Sequence, residues 1–387
     1  MKRKRSLDTV AAQAGVDTDR AFGSVSVPIY ATAIYRYKAF GKHRGFDYSR
    51  SENPTRQAAE RAVADLEGGT RGVVFSSGMA AVSAVMTLFR SGDQILCSDD
   101  LYGGTYRLFE QILKHCGLRF AYVDMGNPRT VAKRIGRRTR AVFIETPTNP
   151  LMKIADIRGV ARIAREKGIL SVVDNTFMSP LLQRPLALGA DVVVHSATKF
   201  LGGHNDLIGG AVVTADPDLG ERMHFAQKAI GAVLSPFDSW LLLRGIKTLA
   251  IRIARAQQNA EIVADFLATH PFVRKIFYPG LSRHHRREVH FSQADGPGAV
   301  ISFELARQSA VPRFLDALQT VLLAESLGGV ESLITHPSTM THADIPPEEQ
   351  AAVGLTPSLV RLSVGIESPD DLVADIAQAL RKAGRFR

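Results

Sequence analysis

A chain of 387 residues with 45% hydrophobic residues is long enough to bury a sizeable core and to divide into one large and one smaller domain. Its formal net charge of +10 is spread along the chain, with local clusters at residues 2–5, 137–140 and 283–287, which favours anionic small molecules over a duplex. Cys97 and Cys116 are the only cysteines and lack metal-ligand spacing, so neither a disulfide framework nor a zinc site is supported.

Residues 1–60 form the first unit expected. The basic run Lys2-Arg3-Lys4-Arg5 reads as a solvated tail with no nucleic-acid signature around it. The turn-rich stretch over residues 45–55 leaves little room for a core of its own, so this segment is expected to drape over something else, such as a neighbouring subunit. No signal-peptide core follows the basic start, and no apolar stretch approaches the roughly 20 residues of a membrane span. Reduced cysteines and these absences point to the cytoplasm, with neither membrane nor nucleic acid as a partner.

Residues 61–250 carry short apolar runs at 72–75, 94–97, 119–123, 141–145, 170–174, 191–195 and 211–214. Their length and β-branched content predict strands. Between them, segments such as 80–90 and 157–167 space their apolar residues as a helix does. The repeat is therefore strand, helix, strand, and the fold class is α/β with a mostly parallel seven-stranded sheet. Beyond Pro236 one long helix is predicted over about 240–267, and strand-like runs at 299–305 and 359–364 mark a smaller α+β domain over residues 251–387.

Ligands of an open parallel sheet bind beyond the carboxyl ends of its strands. At one such end stands Lys199, in His195-Ser196-Ala197-Thr198-Lys199. A partly desolvated lysine there is disposed to lose its charge and attack a carbonyl, and Ser196 and Thr198 place hydroxyls beside it for a phosphate. A lone lysine at a strand end more often just snorkels to water, so the neighbouring strand ends have to carry the argument. Ser76-Ser77-Gly78-Met79 opens a helix with unpaired amides, a place for phosphate. Asp174 ends another run and is suited as counter-ion to a protonated ring nitrogen. Asn149, in Thr146-Pro147-Thr148-Asn149-Pro150, is placed to bond a ring hydroxyl, and Tyr102, flanked by Gly103 and Gly104, to stack on a flat cofactor. His195 and His204 lie nine apart with no third ligand, and no metal is expected.

Together these motifs resemble the Cys/Met-metabolism family of pyridoxal-phosphate (PLP) enzymes, of fold type I. The likeness spans essentially the whole chain. It rests on Tyr48-Ser49-Arg50, Asn53-Pro54-Thr55, Ser76 to Ala80, Tyr102-Gly103-Gly104-Thr105, Glu145 to Pro150, Asp174-Asn175-Thr176, His195 to Asp206, and Arg361-Leu362-Ser363-Val364-Gly365. The resemblance implies a PLP cofactor held by Lys199 as a Schiff base, with Lys199 also moving protons, Asp174 on the ring nitrogen and Tyr102 on the ring face. It implies phosphate contacts from Gly78, Met79, Ser196 and Thr198, completed by Tyr48 and Arg50 of a neighbouring subunit in a homotetramer. Arg361 would clamp the substrate carboxylate, with Asn149, Ser326, Glu325 and Arg107 also facing the amino-acid substrate.

Glu325 before Ser326, and Arg107 after the Tyr-Gly-Gly turn, resemble members of the family that work at Cγ. Residues 229–244 and 322–346 look most like bacterial cystathionine γ-synthases. The expectation is replacement at Cγ of an O-acylhomoserine by cysteine. The alternatives are γ-lyase, β-lyase and O-acetylhomoserine sulfhydrylase activity.

Overall fold

The computed structural model describes residues 5–384, so Lys2, Arg3 and Lys4 of the basic run lie outside the described residues. Every one of the seven predicted apolar runs is a strand: β1 Arg71–Phe75, β2 Gln94–Ser98, β3 Arg119–Val123, β4 Thr139–Glu145, β5 Leu170–Asp174, β6 Val192–Ser196 and β7 Gly210–Thr214. They form one sheet in the order β1-β7-β6-β5-β4-β2-β3. β7 runs antiparallel to both its neighbours, and the other four pairings are parallel.

Helices cover both faces, which is why the strands read as unbroken apolar runs rather than alternating ones. Successive residues still divide between the two layers. Val172 and Phe143 pack with the helix Gly78–Met86, whereas Val173, Val142 and Ile144 pack with the helix Ile157–Glu166. That second helix starts where expected because Asp156 accepts the Gly159 amide at 2.8 Å, a cap worth about 1 kcal/mol.

A second sheet of β8 Val273–Phe277, β9 Val300–Leu305, β10 Leu322–Leu323, β11 Leu333–Thr335 and β12 Leu359–Ser363 follows, in the order β10-β11-β12-β9-β8. The helix Pro369–Gly384 and the buried face of Leu249–Thr269 share one apolar cluster with β9 and β12.

One expectation needs correction. The single helix over 240–267 is two helices, Pro236–Lys247 and Leu249–Thr269, broken at Thr248 with φ −107° and ψ 5°. The buried Arg252 side chain fills the break, donating to Thr248 Oγ1 at 3.1 Å, Phe200 O at 2.9 Å and Gly245 O at 2.8 Å. Apolar periodicity runs straight through a one-residue break and cannot reveal it. The first 60 residues pack in part on the rest of the chain. The helix Leu7–Ala12 and the start of Pro54–Glu67 lie within them, and Ala11, Ala14, Val27, Ala58 and Ala59 join the main core. Between these helices Phe22, Ile34 and Phe40 are exposed. No helix among the described residues is long and apolar enough to cross a membrane.

Candidate active site

The carboxyl ends of β4, β5 and β6 and the helix that follows β1 converge on a cavity of about 260 Å³, closed on the far side by residues 325–327 and Arg361 of the second sheet's half. Lys199 reaches it from a turn just past β6, where its amide bonds Ser196 O at 3.2 Å. Its Nζ donates to Ser326 Oγ at 2.9 Å. Burial and then the Arg361 charge push this amine down to about 8, against the opposing pull of Glu325. The desolvated amine expected from sequence is therefore present, with a cation behind it that keeps it reactive.

One end of the cavity gathers donors of the kind a phosphate accepts from. Ser77 Oγ takes the Ala80 amide at 3.0 Å and Ser77 O takes the Ala81 amide at 3.1 Å. The Gly78 and Met79 amides precede the first intrahelical bond and open on the cavity, with the positive end of the helix behind them. Ser196 and Thr198 line the same end. A Cβ at Gly78 would stand 2.8 Å from Ser196 Cβ, so only glycine leaves this cradle open.

Asp174 faces the middle. Its Oδ1 accepts from Thr176 N at 3.0 Å and Thr176 Oγ1 at 2.5 Å. Burial raises its carboxyl, and the Thr176 bonds and nearby His195 pull back. Beside it in register is Glu145, whose buried carboxyl is pushed well up by desolvation and by the Asp174 charge. Glu145 Oε2 accepts the Tyr102 amide at 3.0 Å and Oε1 the Asn149 amide at 2.9 Å. The Tyr102 ring lines the cavity and lies over Gly104, where a Cβ would meet ring carbon Cε1 at 2.5 Å.

Arg361, in the middle of β12, is buried. Nη1 donates to Asn149 Oδ1 at 2.8 Å and Nη2 to Ser326 O at 2.9 Å, while Nε is buried without a partner. Desolvation lowers the guanidinium to about 10. A buried, unpartnered donor on a fixed cation is the kind of group that an anionic ligand satisfies.

The residues singled out from sequence mostly meet here: Lys199, Tyr102, Asp174, Gly78, Met79, Ser196, Thr198, Asn149, Ser326, Glu325 and Arg361 all line one cavity. Arg107 does not; its guanidinium pairs with Asp344 on the surface. Tyr48 and Arg50 are also at the surface, the guanidinium 5.4 Å from the ring centroid, with Arg50 Nη1 on Lys228 O at 2.6 Å. His195 bonds the buried Glu67 at 2.6 Å. Among the described residues no group of three or more His, Cys, Asp or Glu is arranged to hold a metal.

Glu145, Thr176 and Thr341 were not singled out, although all three line the cavity. The strand-end rule that picked out Asp174 also applies to Glu145, which ends β4. Thr176 follows Asp174 by two residues. Thr341 comes from irregular chain and leaves no local signal.

A molecule carrying a phosphate, a protonatable ring and an aldehyde meets each of these groups in turn, and pyridoxal phosphate is such a molecule. The amide cradle at Gly78 and the open Nε of Arg361 fit the cofactor and the carboxylate of an amino acid bound with it. Fold and site thus define a PLP-dependent enzyme acting on amino acids. The chain belongs to the family described as Cys/Met metabolism PLP-dependent enzyme, which it matches over residues 8–381. It is 50% identical over 98% of its length to a cystathionine γ-lyase of Bacillus subtilis, covering 99% of that protein. It is 52% identical over 97% of its length to a cystathionine γ-synthase/O-acetylhomoserine (thiol)-lyase of the same organism, covering 96% of it. The crystal structure of cystathionine γ-lyase from Lactobacillus plantarum, complexed with L-serine, superimposes with a TM-score of 0.96 at 44% identity, over 98% of this chain and 99% of that one. The cofactor is therefore PLP, the fold is that of the type I PLP enzymes, and the chemistry is trans-sulfuration in cysteine and methionine metabolism.

Proposed function

We propose that the protein is a cystathionine γ-synthase. It replaces the acyloxy group of an O-acylhomoserine by cysteine, giving cystathionine and a carboxylate. The observation that carries this reading is the Glu325-Ser326 pair at the Lys199 amine: Ser326 Oγ holds Nζ at 2.9 Å, and Glu325 lines the same cavity. A carboxylate in that wall gives a counter-charge to an ammonium on the distal half of a substrate or product. Cysteine and cystathionine have that ammonium, and sulfide does not.

PLP, when bound, supplies an electron-poor ring that spreads the charge left as protons are removed. The remaining work falls to side chains. Arg361 takes the substrate carboxylate through its fixed guanidinium and so orients Cα toward Lys199. The Lys199 amine, lowered to about 8, takes the Cα proton and later a Cβ proton, and both carbons regain a proton once sulfur has added, with Ser326 Oγ holding the amine between positions. The Cγ–O bond breaks as the acyl group leaves, the cysteine sulfur forms the Cγ–S bond, and the thiol proton balances the departing carboxylate. Asp174 would hold the ring nitrogen in its protonated form, and Tyr102 would lie against the ring face.

The same reading assigns residues 1–60 to an arm that brings Tyr48 and Arg50 to a neighbouring subunit's phosphate site, residues 61–250 to the PLP-binding domain and residues 251–387 to the closing domain. Support comes from the surface position of Tyr48 and Arg50, away from this chain's own cavity. The reading takes from the family resemblance a homotetramer, placed in the cytoplasm, and sedimentation of the purified protein tests the assembly. A γ-lyase is the second reading, favoured by the 50% identical Bacillus subtilis relative.

Purified protein given O-acetyl- or O-succinylhomoserine with cysteine should yield cystathionine. None from either substrate refutes the γ-synthase reading. Cystathionine consumed to 2-oxobutyrate instead of formed would establish the γ-lyase reading, consumption to pyruvate a β-lyase, and homocysteine formed from O-acetylhomoserine and sulfide a sulfhydrylase.

A further inference from the structure

We infer that Glu145 is a positioning residue that ties the ring-facing wall of the cavity to its carboxylate-binding wall. This deepens the reading above and rests on it. A single side chain at the end of β4 has two oxygens, and each takes a different backbone amide: Tyr102 N on Oε2 at 3.0 Å and Asn149 N on Oε1 at 2.9 Å. The first amide belongs to the residue whose ring lines the cavity. The second belongs to the residue whose Oδ1 holds Arg361 Nη1 at 2.8 Å. Tyr102 and Asn149 lie on separate loops 47 positions apart; Asp100 also ties these loops through Leu151 N at 3.1 Å, but the Glu145 carboxyl bonds the amides of the two site residues themselves.

The joint is stiff. Glu145 is buried, it sits in the β4 ladder beside Asp174, and its own amide is fixed by Ser98 Oγ at 3.1 Å. A shift of that carboxyl moves the Tyr102 ring and the Arg361 anchor together. Removing it leaves the buried Asn149 amide and the part-buried Tyr102 amide without their acceptor, and a buried amide holds its geometry only while paired.

The test uses the holoenzyme and two readouts. Visible circular dichroism of the bound PLP reports ring orientation, and KM for the amino-acid substrate reports the carboxylate clamp. Tyr102→Ala is expected to alter the dichroism with KM moved less than about threefold, and Arg361→Ala to raise KM with the dichroism kept. If these two reference variants do not separate the readouts, the reading of Tyr102 and Arg361 fails, which is a different failure from that of Glu145. Glu145→Ala is expected to move both, with KM raised about tenfold or more. Glu145→Gln keeps one acceptor oxygen and is expected to fall between it and wild type in both. Glu145→Ala moving only one readout, or neither, overturns the inference. Should Glu145→Ala not fold, Glu145→Gln decides: a change in both readouts supports the role, and a change in one or none overturns it.

Discussion

Replacing Arg361 by lysine keeps the positive charge and removes the geometry. The guanidinium now spans two fixed acceptors, Asn149 Oδ1 at 2.8 Å and Ser326 O at 2.9 Å, and still has a buried Nε free. A lysine ammonium is one point on a flexible stem and cannot reach both acceptors while also meeting a carboxylate edge-on. At least one charge-assisted hydrogen bond is lost, worth about 1.5–3 kcal/mol. That converts to a fall in kcat/KM of roughly 10- to 150-fold. Because the proposal puts this residue on the substrate and not on the coenzyme, the loss should appear chiefly in KM, measured by steady-state kinetics, with the visible spectrum of bound PLP unchanged. KM within about twofold of wild type would refute the assignment of Arg361 as the carboxylate clamp. So would loss of the PLP spectrum in a variant whose thermal unfolding is otherwise normal.

Four further outcomes are expected. Lys199 titrates at about 8, so the rate at which apoprotein takes up PLP should climb about tenfold per pH unit below that value and level off above it; a rate flat between pH 6 and 9 contradicts this. The folded lysine is depressed from its ordinary value of 10.5, so the unfolded chain binds more protons between the two values. Across that window the apoprotein should gain stability as pH rises, and Lys199→Met should abolish the gain in denaturant titrations. Gly78→Ala puts a methyl 2.8 Å from Ser196 Cβ; PLP affinity by equilibrium dialysis should fall about tenfold or more, and unchanged affinity would show that the cradle does not hold the phosphate. Asp344→Asn releases Arg107 from its surface partner. KM for O-succinylhomoserine should then fall relative to that for O-acetylhomoserine, and equal behaviour would mean that Arg107 reads no distal charge.

The sheet was legible because its strands are buried on both faces and therefore spell apolar β-branched runs, as at Val192-Val193-Val194. Most of the cavity was legible for a related reason: a parallel sheet delivers its functional groups at strand ends, so Asp174, Ser196 and Lys199 announce themselves by position. What stayed hidden depends on long-range contact. The break at Thr248 is sealed by Arg252 reaching Phe200 O, and no local periodicity encodes that. The tie from Glu145 to Tyr102 crosses 43 residues, and Thr341 enters the cavity from a segment with no regular structure. Arg107 was placed near the substrate because of its neighbours in sequence, yet a partner 237 residues away, Asp344, determines where its side chain lies.

The central claim is that Lys199 holds PLP covalently and then works as the base. Borohydride treatment of the holoenzyme, followed by proteolysis and mass spectrometry, addresses it directly. The account predicts a pyridoxyl-phosphate adduct on the peptide containing Lys199, and its absence together with loss of substrate turnover in Lys199→Ala. An adduct on another lysine, or none on protein that absorbs visible light, would contradict it.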